Sequence, residues 1–279
     1  MNAWAPPVVA LRLIVFGLMW PSLHAATEPP RPNIVVILAD DLGYGDLGCY
    51  GHERLRTPNL DRMAGEGTRF TQFYVSHSVC SPTRVSAITG QHPSRWHIYA
   101  HLAWLAENAT RGMPDWLDPS APSMPRAMQR AGYRTALLGK WHLGGGSGHV
   151  FGGKAINSPD APPVAAYGFD EVRTTFGNGP TWKGGQPVEK PHDIYPLEDI
   201  PWITWSSQLV VDAAIAFIDG HTRDHAGRPF MMNLWLHDPH VPLKPTDDMR
   251  KPYEDVADPG MQTYYAVISH MDKQIGRFL

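Results

Sequence analysis

The chain has 279 residues, 43% of them hydrophobic, and a formal net charge of −3. That is enough apolar material for one large α/β domain or two small ones, and it excludes disorder as the default. Charged residues are scattered, so no basic stripe marks nucleic acid or an anionic membrane surface as a partner.

At the N-terminus Arg12 precedes the apolar run Leu13 to Trp20, and the small residues Ala25 and Ala26 follow. This is the pattern of an export signal over 1–25, with a buried strand as the competing reading. It predicts a periplasmic, extracellular or lumenal chain with no membrane span after cleavage. Beyond the proline-rich junction, "NIVVILADD" is continuously apolar and β-branched, which predicts a buried parallel strand over Asn33 to Ala39 ending on Asp40 and Asp41. Thr57 and Pro58 open a predicted short helix stopped by glycine. "RFTQFYVS" is the next predicted strand, leading into Cys80, and Ser81 and Pro82 are the N-cap and first turn of a helix.

"SMPRAMQRAGY" predicts a helix stopped near Gly132, and "RTALLGKWHLGGG" a strand running into a glycine-rich loop. Residues 144–207, rich in Gly, Pro and Trp, are expected to be extended loops walling a pocket, with Trp182, Trp202 and Trp205 as candidate sugar platforms or as ordinary packing. "QLVVDAAIAFIDG" predicts a helix, "PFMMNLWLHDPH" a buried strand ending on histidines, and 261–279 an amphipathic helix. Alternation of strands and helices implies an α/β fold, a doubly wound sheet with helices on both faces, whose ligands gather at the carboxyl ends of the strands. The sequon Asn108-Ala109-Thr110 receives no functional assignment.

Four strand ends therefore carry chemistry. Asp40 and Asp41 repel each other unless a cation or a shared proton relieves them, and hard oxygens favour Ca²⁺ or Mg²⁺. Lys140 and His142 lie two apart in an extended segment and are expected on one face. His237 and His240 follow another strand. Cys80 could be half of a disulfide with Cys49, a buried thiol, or a reactive group.

"PNIVVILADDLGYGDLGCYG", "CSPTRVSAITG" and "GYRTALLGKWHLG" resemble the metal motif and the two signature segments of type I sulfatases, within the alkaline-phosphatase-like superfamily. The resemblance runs from about Pro32 to the last residue. It implies a signal peptide over 1–25 followed by the N-terminal catalytic part of a sulfatase over 32–279, incomplete at its C-terminal end and by itself of little or no activity. It implies that a formylglycine-generating enzyme oxidises Cys80 to formylglycine, guided by Pro82 and Arg84. The hydrate of that aldehyde would attack a sulfate ester with one hydroxyl and expel sulfate with the other. Asp40 and Asp41, with the modified Cys80, are the implied metal ligands. Arg84 would hold the nucleophile and share charge, Lys140 would contact sulfate, His142 would take the hydrate proton and His240 would assist the leaving oxygen, with His237 substrate-facing. With half the metal ligands, Asp40 and Asp41 are expected to be left uncompensated. The substrate would be a sulfated small molecule or glycan. A phosphonate or phosphodiester hydrolase of the same superfamily, and a silent sulfated-glycan-binding fragment, are the alternatives.

Overall fold

The computed structural model describes residues 31–144, 150–151, 154–155, 160–175, 182–183, 186–187 and 204–279. The 1–25 signal expected from sequence lies outside them. Four strands form a parallel sheet: β1 (Ile34–Leu38), β2 (Arg134–Lys140), β3 (Glu171–Thr175) and β4 (Phe230–Trp235), in the order β1-β4-β2-β3. In register, Val36 and Leu137 flank Asn233 on its two sides. β4, buried at every residue, is the axis of the sheet.

Strand residues alternate between two cores, as a period of two requires. On one face Ala136, Leu138, Met232 and Leu234 pack with residues of α1 (Pro58–Glu66), α5 (Ser206–Asp224) and α7 (Pro259–Phe278), among them Leu60, Phe217 and Met271. On the other face Leu137 and Trp235 meet Val85 and Ile88 of α2 (Cys80–Thr89), with Trp141, Tyr167 and Phe169. Three shorter helices, α3 (Leu105–Thr110), α4 (Met124–Arg130) and α6 (Asp247–Arg250), line the connections. Leu137, Leu138, Met232 and Leu234 are inaccessible to solvent; each contributes about 1.5–3 kcal/mol by leaving water. Gly139 has φ 105°, and a Cβ there would stand 1.9 Å from the carbonyl oxygen of Trp235. Only glycine lets β2 run this close to β4 immediately before Lys140.

Two expectations are corrected. Residues 69–76 form no strand: they are irregular, and Phe73 and Tyr74 are 71% and 82% exposed. Aromatic content alone does not make a strand where the segment finds no sheet neighbour. Within 144–207, read as loops throughout, Glu171–Thr175 is a fourth sheet strand paired with β2 from Ala136 to Lys140. Its short, polar sequence at the sheet edge carries no buried-strand signal.

α1 starts as the Thr57-Pro58 signal predicts, but Thr57 makes no side-chain cap. Its hydroxyl accepts from Gly48 N at 2.9 Å and donates to Asp61. The cap comes from α7 instead: the buried carboxylate of Asp272 accepts from Asn59 N, Asn59 Nδ2 and Leu60 N at 3.2, 2.9 and 2.8 Å. A negative charge here also suits the positive end of the helix dipole. Asp272→Ala should lower stability by about 2–3 kcal/mol, given the strength of charged hydrogen bonds and caps, and a urea titration measures this; an unchanged midpoint refutes the cap.

Candidate active site

Parallel strands end at one edge of the sheet, and two backbone hydrogen bonds carry the β1–β4 pairing past the strands. Leu236 N donates to Leu38 O at 2.8 Å and Asp40 N to Asp238 O at 3.1 Å. The acidic pair is thereby drawn beside the turn 237–240. That turn is fastened from below: Asp238 is buried and accepts from Ser207 N at 3.3 Å and from Ser207 Oγ. Burial pushes the Asp238 carboxyl up to about 6, against the pull of the Ser207 and Ser206 hydroxyls.

α2 begins at Cys80, two residues before the expected start, with Val79 as an extended N-cap that makes no side-chain bond. Ser81, read from sequence as the cap, instead turns its buried hydroxyl to accept from Leu102 N at 3.0 Å. The loop before Cys80 is tied down by Thr83 Oγ1 donating to His77 O at 2.6 Å and Val79 N donating to His77 Nδ1 at 3.2 Å. Cys80 and Cys49 are both free thiols, so the disulfide reading fails.

Arg84, one turn into α2 and buried, reaches the ends of β1, β2 and β4. Its Nη1 donates to Lys140 O at 2.8 Å, its Nη2 lies 3.3 Å from Asp40 Oδ1, and its guanidinium sits 5.0 Å from the Trp235 ring centroid. Lys140 Nζ binds the other oxygen of Asp40. Burial raises the Asp40 carboxyl, but Lys140 and Arg84 outweigh it and hold the group below the usual carboxylate range. Asp40 is therefore compensated by the protein's own cations, contrary to the expectation of an unrelieved pair; Asp41, half exposed, is not part of that bridge. Burial also lowers the Lys140 ammonium, with Asp40 opposing.

A cleft of about 130 Å³ gathers Asp40, Asp41, Cys80 and Arg84, with Val75, His77 and Thr83 on its wall. Lys140 joins through Asp40. The expected shared face of Lys140 and His142 does not form: His142 has φ 52°, so the extended alternation stops there. Its Nε2 lies 2.9 Å from Leu102 O. A carbonyl only accepts, so Nε2 carries the hydrogen and the basic lone pair sits on Nδ1. Burial holds this ring, and His237 at about 3, neutral at physiological pH. His240 is less buried; its Nδ1 donates to Val241 O at 2.6 Å, and its Nε2 stands 3.7 Å from Asp41 Oδ2.

Sequence reasoning missed the supports of these groups. Leu102 O orients His142, and its loop is held by the sequon asparagine: Asn108, buried, accepts from Ala103 N at 2.8 Å and donates to Asp115 Oδ1 at 3.0 Å. No local motif marks such contacts; the Asp238-Pro239 step within "HDPH" was the one visible hint of a built turn. Of the three tryptophans read as sugar platforms, Trp205 is exposed and packs edge-on against His270 at 5.4 Å. Trp202 and the Trp182 side chain lie outside the described residues.

Asp40 and Asp41 offer the hard oxygens that Ca²⁺ or Mg²⁺ needs, but two carboxylates fill one side of a shell of about six to eight oxygens. They fit part of such a site.

A family profile described as Sulfatase matches residues 32–279. The chain belongs to the sulfatase family. It is 30% identical over 290 residues to arylsulfatase G of Rattus norvegicus, covering 97% of this chain and 52% of that protein. It is 30% identical over 274 residues to N-acetylgalactosamine-6-sulfatase of Homo sapiens, covering 92% and 48%. The sulfatase chain thus spans about half the length of these curated relatives. The fold is shared with Ps i-CgsB, solved in complex with k-i-k-neocarrahexaose, at a TM-score of 0.67 and 24% identity, covering 88% of this chain and 54% of that one. The fold class is thereby alkaline-phosphatase-like, as the sequence motifs implied.

The Asp40 bridge sets an acid limit. A carboxyl held below its unfolded value of 3.8 contributes stability that is complete above that pH and is lost as pH falls through the folded value. Lys140→Met removes one of the two cations, so the acid-unfolding transition should move to higher pH and stability at pH 7 should fall by about 3–5 kcal/mol. Circular dichroism against pH checks both; an unmoved acid limb would show that Asp40 does not depend on Lys140.

Proposed function

We propose that this chain carries the nucleophile of a sulfate ester hydrolase, with Cys80 oxidised to formylglycine by a formylglycine-generating enzyme during maturation. The observation that carries this reading is the convergence in one cleft of Cys80 at the start of α2, Arg84 from the same helix and Asp40, with Lys140 on the far oxygen of Asp40. Family membership supplies the reaction class.

In this reading one geminal hydroxyl of the hydrated aldehyde releases its proton to solvent and attacks sulfur, and the S–O bond to the alcohol breaks. His240 gives the leaving oxygen a proton from Nε2, the nitrogen that stands 3.7 Å from Asp41 Oδ2 while Nδ1 is engaged with Val241 O. Arg84 and Lys140 balance the charge of the transferred sulfate, and the amino end of α2 adds its dipole. The second hydroxyl then passes its proton to Nδ1 of His142, the C–O bond to sulfate breaks, and the aldehyde returns. A serine or cysteine in place of the hydrate has no second hydroxyl and would remain sulfated. A divalent cation, Ca²⁺ or Mg²⁺, held by Asp40, Asp41 and the modified Cys80 would supply charge neutralisation and a more acidic hydroxyl.

The substrate we infer is a carbohydrate sulfate or an aryl sulfate. The names of the relatives, an arylsulfatase and an N-acetylgalactosamine-6-sulfatase, support both. The export signal read over 1–25 supports a periplasmic, extracellular or lumenal enzyme. The relatives' names weigh against the phosphodiesterase and silent-binder alternatives.

Peptide mass spectrometry tests the modification: the Cys80 peptide should lose about 18 Da, the change from thiol to aldehyde. With the full-length modified protein, aryl sulfate should turn over faster than aryl phosphodiester, and Cys80→Ala should lower kcat by at least about 10³-fold, as loss of a nucleophile does. Preference for the phosphodiester would overturn the sulfatase assignment.

A further inference from the structure

We propose that Asp40, His237 and His240 form a binding site for a borderline transition cation, of which Zn²⁺ is the type, distinct in ligand chemistry from the hard-cation site at Asp40 and Asp41. One carboxylate oxygen and one nitrogen from each imidazole lie within 4.8 Å of one another. Ligand atoms bound to Zn²⁺ at about 2.0–2.2 Å stand roughly 3–4 Å apart, so a contraction of about 1 Å closes the three on an ion. Among the described residues this is the one such group of three or more.

The state of each ligand suits a metal. His240 donates Nδ1–H to the Val241 carbonyl at 2.6 Å. This fixes its tautomer and leaves Nε2 to ligate, the arrangement that metal-binding histidines use to set ring orientation. His237, three positions earlier in the same turn, is buried, with the two ring centroids 5.2 Å apart. Two imidazoles and a carboxylate are a mixed nitrogen and oxygen set, which favours Zn²⁺, Ni²⁺ or Cu²⁺ over Ca²⁺ or Mg²⁺.

The charges that face the site balance. Lys140 and Arg84 bear on Asp40, while Asp41 stands 3.7 Å from His240 Nε2. Two cations and two carboxylates balance before the ion arrives, and the ion must offset the cost of parting Lys140 from Asp40. It takes the oxygen of Asp40 that Lys140 now holds, and Arg84 keeps the other. Bound there, the ion occupies the His240 nitrogen, so it would inhibit hydrolysis; that consequence rests on the sulfatase reading, whereas the binding does not.

The test is metal binding to the metal-free 279-residue chain, with Zn²⁺ followed by calorimetry and Co²⁺ by its visible absorption. One equivalent should bind, with the intense bands of low-coordinate cobalt. His240→Ala, at a partly exposed position and with its fold checked by circular dichroism, and His237→Gln should each weaken Zn²⁺ by at least about tenfold. Cys80→Ser should leave the affinity unchanged. Absence of binding up to about 100 μM, an affinity insensitive to both histidine variants, or loss of binding in Cys80→Ser would overturn the proposal. Because occupancy and not turnover is read, a negative result leaves the hydrolase assignment untouched.

Discussion

A single buried carboxylate organises the active edge of this molecule. Asp40 ends β1, and its two oxygens are taken by a lysine from β2 and an arginine from α2. Arg84 in turn holds the carbonyl of Lys140 and lies over the ring of Trp235, so one guanidinium ties together the ends of β1, β2 and β4. Stripping any of these charges of its partner inside the protein costs several kcal/mol. The strand ends are therefore held in mutual register by electrostatics as well as by the ladder, and Cys80, four residues before Arg84 on the same helix, is placed by the same bridge.

The histidines are set by a different means. His142 and His240 each give one ring N–H to a main-chain carbonyl, Leu102 O and Val241 O. Backbone geometry thus decides which nitrogen carries the hydrogen and where the other points. The carbonyls are placed in turn by buried polar contacts: Ser81 and Asn108 hold the loop of Leu102, and Asp238 anchors the turn of His240. Such supports are fully satisfied or costly, which makes the loops around the cleft as specified as the strands beneath it.

The core strands were legible in the sequence because a strand buried on both faces is almost wholly apolar, as Ile34–Leu38 is throughout and Phe230–Trp235 is but for Asn233. Glu171–Thr175 was not, since a short edge strand can be polar and still pair. The aromatic run at 69–76 was misread for the converse reason: composition was right, but no neighbouring strand takes it up. At the site, the convergence of Asp40, Cys80, Arg84 and Lys140 was legible from topology, which brings parallel strand ends together. That Lys140 and Arg84 would neutralise Asp40 was not, because contacts spanning 100 and 44 positions leave no trace in local pattern. Nor was the turning of Ser81 from cap to loop anchor, where two hydrogen-bonding options of one hydroxyl compete within a few ångströms.

The order of the sheet has a consequence for how the polypeptide is made. β1 pairs with β4, and Phe230 N donates to Asn33 Oδ1 across 197 positions; the start of α1 waits for Asp272, more than two hundred positions on. At synthesis rates of about 5–20 residues per second, β1 emerges roughly 10–40 s before its partner exists. From its own synthesis to the end of that interval Cys80 belongs to an open chain, since the bridge that buries Arg84 needs β2 and β4. Any enzyme that must grasp the cysteine and its flanking residues in extended form meets them while the ribosome or translocation channel still holds the rest.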